Sequence, residues 1–143
     1  MSSARIHFFS EEISYSLKQK ALLRKWITTA FEEEGKKLKE LNFVFCSDNY
    51  LLLINQQYLK HNTFTDIITF DNSESPDETT GDIFISIDRV KENSKKFTVP
   101  ERDELHRVMI HGTLHLLGYK DKSKEDKSLM TEKENYYLSK RNF

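Results

Sequence analysis

Residues 101–121 read Glu-Arg-Asp-Glu-Leu-His-Arg-Val-Met-Ile-His-Gly-Thr-Leu-His-Leu-Leu-Gly-Tyr-Lys-Asp. On a helical wheel stepped at about 100° per residue from His111, Leu105, Val108, Met109, Ile110, Leu114, Leu116 and Leu117 fill most of the circumference. A helix that is apolar on nearly all sides has to be buried, so the stretch predicts a core element with other layers packed around it. One narrow polar stripe interrupts it, with Glu104 at about 20°, Arg107 at about −40°, His111 at zero and His115 at about 40°. His106 and Thr113 fall near the opposite side. Burying a polar group without a partner costs on the order of 1–3 kcal/mol, so this stripe needs a reason.

Working outward, Thr98 and Glu101 have the capping-box spacing with Pro100 in the first turn, which predicts the start of this helix. Gly118 stops it. A last helix is expected from near Ser123 to about Lys140. Upstream, Arg5–Phe9 suits a first strand, and Leu17–Glu34 shows helical apolar spacing followed by Gly35, a residue fit for a left-handed C′ position. Leu41–Cys46 carries Phe43, Val44 and Phe45 and reads as a buried strand. Ser47 or Asp48 then caps a helix over Tyr50–Leu59. Asp66–Phe70 and Asp82–Ile87 read as strands, separated by the polar, Pro76-containing loop Asp71–Thr80. These elements predict a single α+β domain over residues 1–143. Its small mixed sheet, of about four strands, is covered by helices, with the striped helix near the C-terminal end.

Composition is that of an ordinary soluble globule, 37% hydrophobic and 31% charged in 143 residues, a length that fits one domain. The one cysteine, Cys46, excludes an intrachain disulfide framework and sits in an apolar run, where a buried structural thiol is expected. No signal-peptide pattern is seen, and no run approaches the ~18 apolar residues of a membrane span, so a cytoplasmic protein without membrane contact is expected. The net charge of −1 argues neither for nor against nucleic acid. Lysines at 36, 37 and 39, at 91, 95 and 96, and at 120, 122 and 124 read as solvated helix faces or turns.

The chemistry lies in the stripe. Histidines at i and i+4 on one helix face can aim ring nitrogens at one point, as metal-binding helices do. Gly118 lets the chain leave the helix sharply, so that Asp121 can return toward them. His111, His115 and Asp121 offer nitrogen and oxygen donors that suit one zinc ion and leave a fourth position for water. Ligand type favours zinc over nickel or iron. The competing reading is a pair of satisfied histidines near a helix end. The spacing also matches long zinc-protease helices, but those place a glutamate general base directly after the first histidine, and here that position is Gly112. A metallopeptidase is therefore disfavoured.

His-Gly-Thr-Leu-His-Leu-Leu-Gly-Tyr at 111–119 resembles the signature of the YbeY family, bacterial metal-dependent endoribonucleases of ribosomal RNA maturation. Asn55-Gln-Gln-Tyr58 followed by Thr65-Asp66-Ile67-Ile68-Thr69-Phe70 is similar to the family's second motif, and Gly81-Asp82-Ile83-Phe84-Ile85-Ser86 to its third. Glu104 and Arg107 match the approach to the histidines, and Met130 and Glu134 fall where the family's last helix has them. The resemblance implies a zinc-dependent, single-strand-specific endoribonuclease acting in 16S rRNA 3′-end maturation and ribosome quality control. Its implied partners are the 16S rRNA precursor and the small ribosomal subunit or assembly proteins.

Two departures stand out. The commonest family pattern puts a histidine where this chain has Asp121, so the implied ligand set is two histidines and a carboxylate. The family also commonly has an arginine, tied to RNA cleavage, where this chain has Leu59; Lys60 and His61 are its charged neighbours. That absence keeps open a second class, a non-catalytic ribosome assembly factor with a structural metal. Arg107, on the same face one turn before His111, is the candidate catalytic residue, by neutralising phosphate charge. Its alternative is a structural pair with Glu104 or another carboxylate. Asp66 and Asp82 are candidates to hold a histidine tautomer, or else are strand-end caps.

Overall fold

In the computed structural model, which describes residues 5–60 and 65–143, the elements run β1 (Ile6–Glu11), α1 (Lys20–Glu33), β2 (Lys37–Cys46), α2 (Asp48–Leu59) and β3 (Ile67–Asp71), then β4 (Glu78–Ser86), α3 (Ile87–Lys96), α4 (Glu101–Leu116) and α5 (Lys124–Ser139). The strands form one sheet in the order β1-β2-β4-β3. Pairing is parallel for β1–β2 and β2–β4 and antiparallel for β3–β4. This is the expected α+β domain with a mixed four-stranded sheet.

Side chains alternate across a strand, and here the alternation separates two apolar layers. Leu41, Phe43 and Phe45 of β2 and Ile83 and Ile85 of β4 join the main core with α1, α4 and α5. Cys46, Ile68 and Leu51 form a smaller cluster beneath α2, with Phe70 and Phe84 packed against it. Cys46 is fully buried, and burial pushes its thiol pKa up to about 12, as expected of a structural thiol.

Helix α4 is the buried helix that its periodicity demands, with Met109, Ile110 and Leu114 at 0% exposure. It approaches the sheet closely enough that a Cβ on Gly112 would meet Ile67 Cδ1 at 2.8 Å and Ile83 Cγ2 at 2.9 Å. A Cβ on Gly81 of β4 would likewise meet Leu116 Cδ1 at 2.8 Å. At Gly81 the Phe70 carbonyl oxygen also lies 2.9 Å away, so that position leaves little room for a side chain. The first glycine faces the sheet, so the neighbouring polar stripe turns away from it, toward α5 and the segment before β3.

Several local expectations are corrected. The Thr98 cap does not form: Thr98 has φ 56° and Pro100 occupies the N-cap position without a side-chain cap bond. Helix α1 begins at Lys20, because Gln19 adopts a left-handed φ of 60°. The strand at Leu41 starts earlier, at Lys37, so Lys37 and Lys39 lie on a strand and not on a helix face or turn. The 71–80 loop is shorter than its polarity suggests, because the antiparallel β3–β4 ladder draws in Asp71 and the parallel β2–β4 ladder draws in Glu78–Thr80. Ile87 opens α3, which sequence periodicity did not reveal, and Ser86 caps it by accepting from Arg89 N. By contrast, Ser47 caps α2 and Ser123 forms a full capping box with Asp126 on α5. Gly35 and Gly118 have the positive φ expected of helix stops, 71° and 106°.

Candidate metal centre

The structure brings His111, His115 and Asp121 together. One ligand atom from each lies within 4.8 Å of the others. The two Nε2 atoms are 3.1 Å apart, and His111 Nε2 is 3.5 Å from Asp121 Oδ2. Donors in a tetrahedral zinc shell at ordinary bond lengths are separated by about 3.3 Å, so both spacings fit that ion. Each position follows from local structure. The i, i+4 step of α4 aligns the rings, and the turn at Gly118 reverses the chain so that Asp121 reaches back before α5 begins.

What holds His111 is Glu134 of α5. Its Oε2 lies 2.6 Å from His111 Nδ1, and its Oε1 accepts from Arg107 Nη1 at 2.8 Å. With Nδ1 donating its proton to the carboxylate, the Nε2 lone pair is left facing His115 and Asp121. A cation placed between them would satisfy all three donors. Burial works against ionisation of Glu134, but the hydrogen bonds from His111 and Arg107 hold its pKa below the usual range. Burial also opposes charging His111, yet the bond to Glu134 and the nearby Asp121 and Asp66 raise its pKa. His115 goes the other way, lowered by burial and by His111 beside it.

A cavity of about 250 Å³ opens beside His111, walled by Asp66, Glu104, Arg107, His111, Asp121 and Glu134 among others. Arg107 is paired to Glu134 and donates from Nη2 to Asn135 Oδ1 at 2.7 Å, while its side chain stays 37% exposed at the rim. Of the two aspartates singled out above, Asp66 lines the cavity and burial raises its pKa. Asp82 does not take part, since it accepts from Asn42 and Asn72 on the other face of the sheet. Leu59 is exposed at the end of α2, and Lys60 caps that helix in a left-handed conformation. His61 lies outside the described residues.

Glu134 is the residue whose role sequence reasoning missed. Its signal was available on α5: Met130, Glu134 and Tyr137 form the buried stripe, so a glutamate stands in an apolar face and requires a partner.

The chain matches the model of a family described as Endoribonuclease YbeY over residues 5–142. It is 50% identical over 143 residues to a protein named Endoribonuclease YbeY from Cytophaga hutchinsonii, covering 100% of both chains. It is 51% identical over 130 residues to a protein of the same name from Flavobacterium psychrophilum, covering 91% of this chain and 92% of that one. The solution structure of a Thermotoga maritima protein superposes with a TM-score of 0.65 at 27% identity, covering 94% of this chain and 87% of that one.

Proposed function

Since the chain belongs to the YbeY family, described as endoribonucleases, we propose that it is a zinc-dependent endoribonuclease that cuts single-stranded RNA. His111, His115 and Asp121 hold one zinc per chain. The observation that carries this reading is the convergence of their ligand atoms, with Glu134 fixing the His111 tautomer from behind. A bound metal supplies electrophilic stabilisation of a phosphoryl oxygen or an activated water. The chain's own groups supply the rest. Glu134 orients His111, and Arg107 keeps its exposed N–H groups at the rim of the cavity, where they meet a substrate phosphate.

In the cell the substrate is the 16S rRNA precursor, cut in 3′-end maturation and ribosome quality control, with the small ribosomal subunit or its assembly proteins as partners in the cytoplasm. No helix among the described residues is long and apolar enough to cross a membrane.

A second reading, a non-catalytic assembly factor with a structural metal, is favoured by Leu59, which places an uncharged side chain at the exposed end of α2. Cleavage of single-stranded RNA by highly purified protein separates the two, run beside His115→Ala with zinc quantified in both. The nuclease reading expects about one zinc and cleavage in the wild type, and neither in the variant. A zinc-loaded wild type that leaves RNA intact gives the site to the assembly-factor reading.

A further inference from the structure

A second cavity, of about 520 Å³, lies between the α3–α4 turn and α5, and it shares Glu104 and Arg107 with the wall of the metal-site cavity. Its lining is unlike that of the metal site. Phe97 is 57% exposed and Val99 39% exposed, and Leu138 contributes from α5. The turn that carries Phe97 is pinned by backbone bonds, Phe97 N to Asn93 O at 2.9 Å and Val99 N to Ser94 O at 3.0 Å. A Lys96 ammonium stands 5.7 Å from the Phe97 ring centroid. The groove thus presents an exposed aromatic side chain on a pinned turn beside cationic groups, the combination on which single-stranded nucleic acids stack.

Glu104 gives the groove its polarity. It is only 7% exposed, and it lies in the wall shared by the two cavities. Burial and the neighbouring Asp66 and Glu134 raise its pKa, and only Arg107 opposes them. A carboxylate in a cavity wall can accept from the N–H groups that a ligand brings. Seven residues at 1.5 Å per residue separate Glu104 from His111 by about 10 Å along α4. That is too far for proton transfer at the metal, but within the reach of the nucleotide that flanks a phosphate held there.

We propose that this groove is a nucleobase subsite for the RNA substrate, in which Phe97 stacks on the base flanking the reacting phosphate and Glu104 accepts hydrogen bonds from that base's amino edge. This deepens the ribonuclease reading and rests on it. Guanine offers the carboxylate two adjacent N–H donors, whereas uracil has no amino group. The subsite therefore prefers guanine to uracil.

The test measures binding of short oligouridine, with and without a single guanosine, to the zinc-loaded protein by fluorescence anisotropy, under conditions where the RNA is recovered intact. Wild type is expected to favour the guanosine oligomer. Phe97→Ala, a change at an exposed side chain, weakens binding of both oligomers about tenfold. Glu104→Gln keeps the affinity for oligouridine and loses the guanosine preference. Both variants retain zinc.

Equal affinity of wild type for the two oligomers, or a Phe97→Ala protein that binds as wild type does, overturns the subsite. If wild type also cleaves in that case, the nuclease reading survives alone. If wild type shows the expected binding pattern without cleaving, the subsite stands and the nuclease reading falls. If wild type binds neither oligomer, both fall.

Discussion

Glu134 on α5 and His111 on α4 meet at 2.6 Å, carboxylate to Nδ1, and this contact leaves Nε2 of His111 facing His115 and Asp121. The same carboxylate accepts from Arg107, so an ion pair and a ligand-orienting bond share one buried group. Metal affinity is therefore expected to depend on a residue that does not touch the metal. Glu134→Ala should lower zinc affinity by about 10- to 100-fold, the usual effect of removing an orienting partner. Glu134→Gln, which keeps a carbonyl acceptor, should lose less. Competition against a chromophoric chelator measures both, and affinities equal to wild type would remove Glu134 from the site.

Gly112 is the place where a zinc-protease helix has its general base, and here it touches the sheet. An added Cβ would approach Ile67 Cδ1 at 2.8 Å and Ile83 Cγ2 at 2.9 Å. Alanine raises helix propensity by about 1 kcal/mol, but overpacking a close helix–sheet contact costs about 1–3 kcal/mol. We expect Gly112→Ala to be destabilised by about 1 kcal/mol net, read as a lower midpoint in urea. Gly112→Glu should lose far more and gain no peptidase activity. An alanine variant more stable than wild type would show that the contact yields freely.

His106 supplies a pH dependence away from the candidate metal ligands. It is 2% exposed, and its Nδ1 accepts from Arg141 Nη1 at 2.7 Å. Burial, then the charges of Arg141 and Arg102, lower its pKa to about 4, with Asp103 opposing. A group lowered in the folded state binds its proton first in the unfolded state. His106 should therefore destabilise the fold as pH falls from about 6.5 toward 4, by on the order of 2 kcal/mol, and contribute no slope above about 7. Chemical unfolding across this range should be visibly flatter for His106→Gln than for wild type. Parallel curves would mean that the imidazole titrates alike in the folded and unfolded chains.

Much of the framework was legible because it is written in neighbours. The apolar circumference of α4, its polar stripe and the stops at Gly35 and Gly118 each depend on residues a few positions apart, and the structure keeps them all. The juxtaposition of His111, His115 and Asp121 was likewise readable, since one helix and one turn bring the three together. The failures were local signals overridden by distant ones. Thr98 has a cap residue's chemistry, but the turn between α3 and α4 puts its backbone at φ 56°. The ends of the polar 71–80 segment read as loop, but Asp71 finds a ladder on β4 and Glu78–Thr80 find one on β2.

What the sequence determined by itself is therefore the buried helix, its polar stripe carrying His111 and His115, and the class of fold that must surround it. Only the tertiary structure decided the strand order β1-β2-β4-β3, the partner of His111 and the second cavity that shares Glu104 with the site. The physical reason is range. Periodicity and capping arise between residues a turn apart, whereas the Glu134 contact spans 23 positions and exists only because α5 packs its buried stripe against α4.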